Sequence, residues 1–274
     1  MDYAIYAAFS VYLFGILFMA MGVYRLWAGM VGAQAVNWAI LPGTVVSEMA
    51  YIFGCLITGG EVRHAKLMGA KGRSGKSGPD AEAEPTTEAT PKLAHVGPVV
   101  AAFASILACG AGILIVHALL GEPVITEFSR GGGLMVTARL PEALPTTSGE
   151  FWDQIAGHLG LLRRMAGTLV ALPWLTWRVP LFVYLATCLT LRLAPTRRSL
   201  RATLAAVVVL AGIIALVGLV WRRLAGLMDD IWPLVTFLWS AMLLLLAVSL
   251  IVRGAVGLVR ALMAKETPAR RRTD

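Results

Sequence analysis

Six apolar stretches, each about as long as the hydrocarbon core of a membrane is thick, constrain this 274-residue chain most strongly. A helix that spans a bilayer needs about 20 mostly apolar residues, because its backbone polar groups must find their partners within the segment. Only 15% of the residues are charged and 58% are hydrophobic, whereas soluble domains are about 25% charged. We therefore predict an all-α, polytopic membrane helix bundle of about six transmembrane helices. The predicted spans are residues 3–24, 37–58, 96–120, 172–193, 203–221 and 232–252.

The charge balance predicts how the bundle is oriented. The net charge is +8, and in a membrane protein Lys and Arg mark the cytoplasmic loops, so we expect no nucleic-acid partner. The predicted arrangement is one membrane domain, 1–262, followed by a basic cytoplasmic tail, 263–274. Residues 70–92 contain no aromatic and no large aliphatic residue and are predicted to form a disordered cytoplasmic loop. We expect an integral multi-pass protein of a bacterial inner membrane, with both termini in the cytoplasm.

The longest loop on the opposite side predicts a small extracytoplasmic segment. Two short β-like runs, 123–128 and 134–139, flank a glycine-rich turn and favour a hairpin. Apolar residues then recur at intervals of three and four, which predicts an amphipathic interfacial helix over 150–166 that leads into the fourth span.

Two charged residues inside the predicted spans are candidates for function. Glu48 lies in 41-LPGTVVSEMAYIFGCLITGG-60, and Arg178 lies between two prolines of the fourth span. An ionisable group at the centre of a membrane helix costs about 2.5–3.5 kcal/mol on insertion scales, so each residue is a functional hypothesis by default. Arg178 has two interpretations: it extends to the interface, or it is the partner of a buried acid.

The sequence around Glu48 resembles the active-site helix of site-2-protease-like membrane metallopeptidases. In that family the helix carries HExxH, whose histidines bind Zn²⁺ while the glutamate acts as general base. On that pattern the five positions hold Ser47-Glu48-Met49-Ala50-Tyr51, and only Glu48 matches. Hydroxyl and phenol groups are poor zinc ligands, so Ser47 and Tyr51 would be relict positions.

Two further stretches extend the resemblance to about half of the chain. The segment 178-RVPLFVYLATCLTLRLAPTRRSLRATL-204 is similar to the region that offers the family's third ligand, and there the carboxylate position holds Ser199. The segment 95-HVGPVVAAF-103 is similar to an apolar helix start in the family. The resemblance implies a pseudo-metallopeptidase in which no catalytic residue, metal ligand or cofactor site is retained.

Three uses of Glu48 remain open at this stage. It is a structural acid satisfied by Ser47 and Tyr51, or it lines an inherited cavity that binds a client helix or ligand, or it still carries out chemistry or moves protons. We favour a non-catalytic membrane protein that binds or scaffolds other membrane proteins within the lipid bilayer. The alternatives are an active intramembrane metallopeptidase with an atypical metal site, and a transporter or membrane-complex subunit.

Overall fold

Long helices make up most of the chain that the structure describes. The computed structural model describes residues 3–59, 61–65, 87–90, 96–130, 148–193, 200–220 and 224–265. The helices are α1 (Tyr3–Val31), α2 (Ala33–Ala39), α3 (Leu41–Ile57), α4 (Gly97–Val116), a π-helical turn (His117–Gly121), α5 (Glu122–Arg130), α6 (Ser148–Ala171), α7 (Arg178–Leu193), α8 (Leu200–Val220) and α9 (Leu224–Lys265). The predicted helical character of the chain is confirmed.

Three continuous helical segments are long and apolar enough to cross a membrane. They are Tyr6–Val31, Gly97–Arg130 and Gly226–Val259, which contain most of the first, third and last predicted spans. The second predicted span is the pair α2 and α3, bent by 95°, and it makes a fourth crossing if the pair is one span. The structure thus supports three or four membrane helices, and the count of six is not confirmed.

The fourth predicted span is shorter than expected. In the fourth, 172–193, residues 172–177 form an irregular turn and the helix begins only at Arg178. Pro173 explains the interruption, because a proline disfavours helical geometry in the residue before it and lacks an N–H. The fifth predicted span, 203–221, corresponds to the helix α8, Leu200–Val220.

Two predictions for the loops are wrong where the structure describes them. The first β-like run, 123–128, lies within the helix α5, which continues α4 and buries Val124, Ile125 and Phe128 on one side; the second run, 134–139, lies outside the described residues. Within the predicted disordered loop, Thr87–Thr90 forms a strand, β2, paired antiparallel with β1 (Glu61–Ala65). Backbone hydrogen bonds between strands do not require apolar side chains, which is why composition missed them. The remaining residues of the predicted loop lie outside the described chain.

The predicted interfacial helix, 150–166, is part of the longer α6, which packs on α5 and α9. It buries Leu161 and Met165 and exposes Trp152 and Leu159. Because these two exposed residues are apolar, the amphipathic character of this helix and its position at a membrane surface both stay predictions. Of the predicted basic tail, 263–274, residues from 266 onward lie outside the described chain.

The helix α4 shows how α3 and α7 are arranged. A Cβ on Gly54 of α3 would lie 2.7 Å from the Cα of Ala101. Farther along α4, a Cβ on Gly112 would lie 3.3 Å from Leu189 of α7, and one on Gly121 would lie 3.0 Å from Phe182. Residue numbers fall along α3 and α7 as they rise along α4, so both helices run antiparallel to α4. The helix α3 contacts the first part of α4, and α7 contacts the part that follows. The C-terminal end of α7 meets the N-terminal end of α3.

Candidate functional site

The helix pair that contains Glu48 is broken at Ile40, where α2 ends and α3 begins at an angle of 95°. Side chains of α7 donate hydrogen bonds to the backbone at the break. The carbonyl oxygen of Ala39 accepts a hydrogen bond from the Tyr184 hydroxyl at 3.0 Å and a longer contact from the Cys188 thiol at 3.8 Å. Irregular backbone at membrane depth is tolerated only where neighbouring groups bond it, so α7 stabilises the break.

Gly43 allows the first turn of α3 to touch the backbone of α7. A Cβ at this position would lie 2.2 Å from the carbonyl oxygen of Cys188 and 2.6 Å from its carbonyl carbon. No side chain fits there without separation of the two helices. The close approach brings Thr44, the next residue of α3, to Arg192 in the last turn of α7.

Arg192 is the buried cation of this junction, with 5% of its surface exposed. Its Nε–H donates a hydrogen bond to the Thr44 hydroxyl at 3.0 Å, and its Nη2–H donates one to the side-chain oxygen of Asn37 on α2. The guanidinium carbon lies 5.4 Å from the ring centroid of Tyr24 on α1, and the Tyr24 hydroxyl donates to the same Asn37 oxygen at 2.9 Å. Three helices, α1, α2 and α3, therefore contribute to the surroundings of this arginine on α7.

Glu48 lies one turn beyond Thr44 on α3 and interacts electrostatically with Arg192. Its side chain is partly exposed, whereas Ser47 and Tyr51 beside it are buried. Glu48 thus lies at the edge of the buried face of α3, with the exposed residues Met49 and Phe53 next to it. The acid has a cationic neighbour on one side and the lateral surface of the bundle on the other.

The arginine near Glu48 is therefore not the one that the sequence suggested. Arg178 is exposed at the start of α7, with its guanidinium carbon 5.8 Å from the ring centroid of Trp177. Arg192 was missed because it lies one residue from the end of the predicted span 172–193, where an arginine normally reaches the interface. A single sequence gives no sign that α7 ends against the break of another helix.

The relict metal-ligand positions have other neighbours. The hydroxyl oxygens of Ser47 and Ser105 on α4 lie 2.7 Å apart, within hydrogen-bonding distance. Tyr51 is buried in a small cluster with Cys55 and Ala101. Ser199 lies outside the described residues. Ser47 and Tyr51 therefore take part in the α3–α4 contact.

Within the described part of the chain, no three His, Cys, Asp or Glu side chains are grouped so that they could hold a metal ion. His117 belongs to the π-helical turn, and His158 on α6 stacks on Tyr12 with ring centroids 6.0 Å apart. His64 lies in β1, and His95 lies outside the described chain. The chemistry that the junction offers is hydrogen bonding and charge within a helix bundle.

No protein-family model, curated protein or solved structure matches this chain. The resemblance to site-2-protease-like peptidases therefore depends only on the residues quoted for it above.

Proposed function

We propose that this chain is a non-catalytic membrane protein that binds a transmembrane helix of another membrane protein along α3. The observation that carries the proposal is the partial exposure of Glu48 at the edge of the buried face of α3. Contact between a carboxylate and lipid is expensive, and a partner helix that supplies a hydrogen-bond donor removes that contact.

The neighbouring surface of α3 fits such a partner. Glu48, Ile52 and Leu56 follow one another at intervals of four and so lie along one side of the helix. Met49 is 52% exposed and Phe53 is 63% exposed beside them. An apolar helix with one Ser, Thr, Asn or Gln opposite Glu48 would pack on this stripe, because polar side chains join helices within membranes.

Arg192 supports the same proposal from inside the bundle. Arg192 interacts electrostatically with Glu48 from within the bundle, and hydrogen bonds in which one group is ionised are stronger than those between neutral groups. Descent from a site-2-protease-like peptidase would account for the acid at this position, and we include that origin in the proposal.

A photocrosslinking experiment in native membranes tests the proposal. A benzophenone amino acid at Phe53 reports on the α3 stripe, and the same probe at Leu114, exposed on α4, serves as the matched control. We expect a protein adduct from position 53 that is lost in Glu48→Leu and reduced in Glu48→Gln, which keeps the shape and removes the charge. Adducts that are unchanged in both variants, or that form equally at Leu114, would contradict the proposal.

The broken helix favours one other candidate function, that of a transport or channel subunit. Discontinuous helices whose ends meet inside a bundle form the substrate sites of many transporters. Proton uptake into proteoliposomes, followed with an interior pH dye, distinguishes this function from the first. Uptake that disappears in Glu48→Gln would support transport.

A further inference from the structure

The turn between α6 and α7, residues 172–177, exposes large apolar side chains. Leu175 is 103% exposed, and Trp174 and Trp177 are 43% and 63% exposed. The turn is nevertheless well anchored: Leu172 is buried, and the indole N–H of Trp174 donates a hydrogen bond to the Leu169 carbonyl at 2.7 Å. We call residues 172–178 the tryptophan turn, with Arg178 included because it is exposed next to Trp177.

The contacts of α7 indicate where this turn lies relative to a bilayer. Phe182 packs against Gly121, the last residue of the π-helical turn. From Gly97 to Gly121 the helix rises about 36 Å at 1.5 Å per residue, which exceeds the hydrocarbon thickness of about 30 Å. Glu122, which follows directly, is the first charged residue of that helix after Gly97. Phe182 is therefore near the membrane boundary, and the tryptophan turn precedes it on the outer side of that boundary.

The side chains of the turn match the chemistry of that layer. Indole rings partition to the headgroup region because one edge is polar and the rest is apolar. A guanidinium binds phosphate through paired N–H groups, and the guanidinium of Arg178 lies over the face of the Trp177 ring, 5.8 Å from its centroid. Both types of side chain thus meet at one level of the bundle.

We propose that the tryptophan turn binds phospholipid headgroups, with Leu175 and the two indoles inserted and Arg178 on a lipid phosphate. This contact fixes the depth at which α7 begins, and so the depth at which its other end meets α3. The proposal goes beyond helix binding along α3, and neither depends on the other.

A spin label at Leu175→Cys tests the insertion in the full chain, reconstituted in nanodiscs of phosphatidylcholine and phosphatidylglycerol. The native cysteines Cys55, Cys109 and Cys188 are buried, and the unsubstituted protein measures any labelling of them. We expect oxygen to reach the label and a water-soluble nickel reagent to be largely excluded from it. The exclusion of nickel should be weaker than for a label at Leu114→Cys on α4. A label as accessible to nickel as a free spin label in water would overturn the proposal. Shielding from both reagents would also overturn it, since it would mean that another protein or a second copy covers the turn.

A second measurement tests the role of Arg178. Native mass spectrometry of the protein released from these nanodiscs should show bound phosphatidylglycerol that is lost in Arg178→Gln. The matched control is Arg163→Gln, because Arg163 is an exposed arginine on α6. Equal retention of lipid in the two variants would contradict the assignment of Arg178.

Discussion

Replacement of Arg192 by methionine should destabilise the bundle, although the substitution removes a charge from the interior of a membrane protein. The substitution eliminates two hydrogen bonds donated by a charged group, to Thr44 and Asn37, each of which contributes about 1.5–3 kcal/mol. It also eliminates the contact with the Tyr24 ring, for which about 0.5–1 kcal/mol is typical. Methionine and arginine have similar helix propensities, so the helix itself contributes little.

An opposing effect reduces the loss. Relief from placing a charge within the bundle returns about 2.5–3.5 kcal/mol, and the Asn37 bond is weakened by the partial exposure of that residue. When the relief is subtracted from the lost contacts, Arg192→Met should lower the free energy of unfolding by about 1–3 kcal/mol. Arg192→Lys should lose less, because an ammonium retains the charge near Glu48 but lacks the planar fork that reaches Thr44 and Asn37 together.

Unfolding of the protein in mixed micelles, followed by circular dichroism as the fraction of sodium dodecyl sulfate is raised, measures the effect. The control is Arg25→Met on α1, where the arginine is exposed one position from Tyr24; this variant should differ little from the parent. If Arg192→Met and Arg25→Met unfold at the same detergent fraction, the guanidinium does not hold the junction together and the reasoning is refuted.

Two other contacts give predictions of their own. Gly43→Ala should lower the thermal midpoint of unfolding in detergent, because its Cβ would overlap the Cys188 carbonyl and overpacking costs about 1–3 kcal/mol. The control is Gly110→Ala, which has nothing within 4 Å of the added Cβ and should have a midpoint equal to or above that of the parent. Equal midpoints for the two variants would contradict the close approach at Gly43. Ser47→Ala should destabilise α3–α4 packing by about 1 kcal/mol, because it leaves the Ser105 hydroxyl without this partner. Adding Ser105→Ala should restore part of the loss in the same assay, and additive losses would argue against the hydrogen bond.

Much of the fold follows from the apolar runs alone. Tyr6–Val31 and Gly226–Val259 are helices for the reason that predicted them: a long apolar segment must bond its own backbone within a membrane. Exceptions arise where prolines or a continuing helix decide the outcome. Pro173 separates α6 from α7, so that α7 begins at Arg178, six residues after the predicted start of the fourth span at 172. The β-like run 123–128 is helical because α4 continues into it through a π-helical turn.

The candidate site was predictable only in part. The cost of an acid within a span singled out Glu48 as a candidate, and a basic partner for it was one of two interpretations of Arg178. Its identity was not predictable, because Arg178 and Arg192 both lie near ends of one predicted span. The choice between them depends on the break at Ile40 and on the close approach at Gly43, and these bring the last turn of α7 to α3. Such contacts join residues about 150 positions apart along the chain, and no local pattern encodes them.

The electrostatic interaction of Glu48 with Arg192 allows a test of whether the acid serves recognition or stability. Buried ion pairs are often matched or exceeded in stability by apolar residues of similar volume, whereas loss of one partner is strongly destabilising. A variant with both Glu48→Leu and Arg192→Met should therefore recover only the part of the loss that comes from leaving Glu48 without its cationic neighbour, because the hydrogen bonds to Thr44 and Asn37 stay lost. If the double variant also keeps the crosslinked adduct at Phe53, the pair is a structural element and the binding proposal fails. If the double variant folds and loses the adduct at Phe53, Glu48 serves recognition, because the partner contact is then lost while the fold is kept.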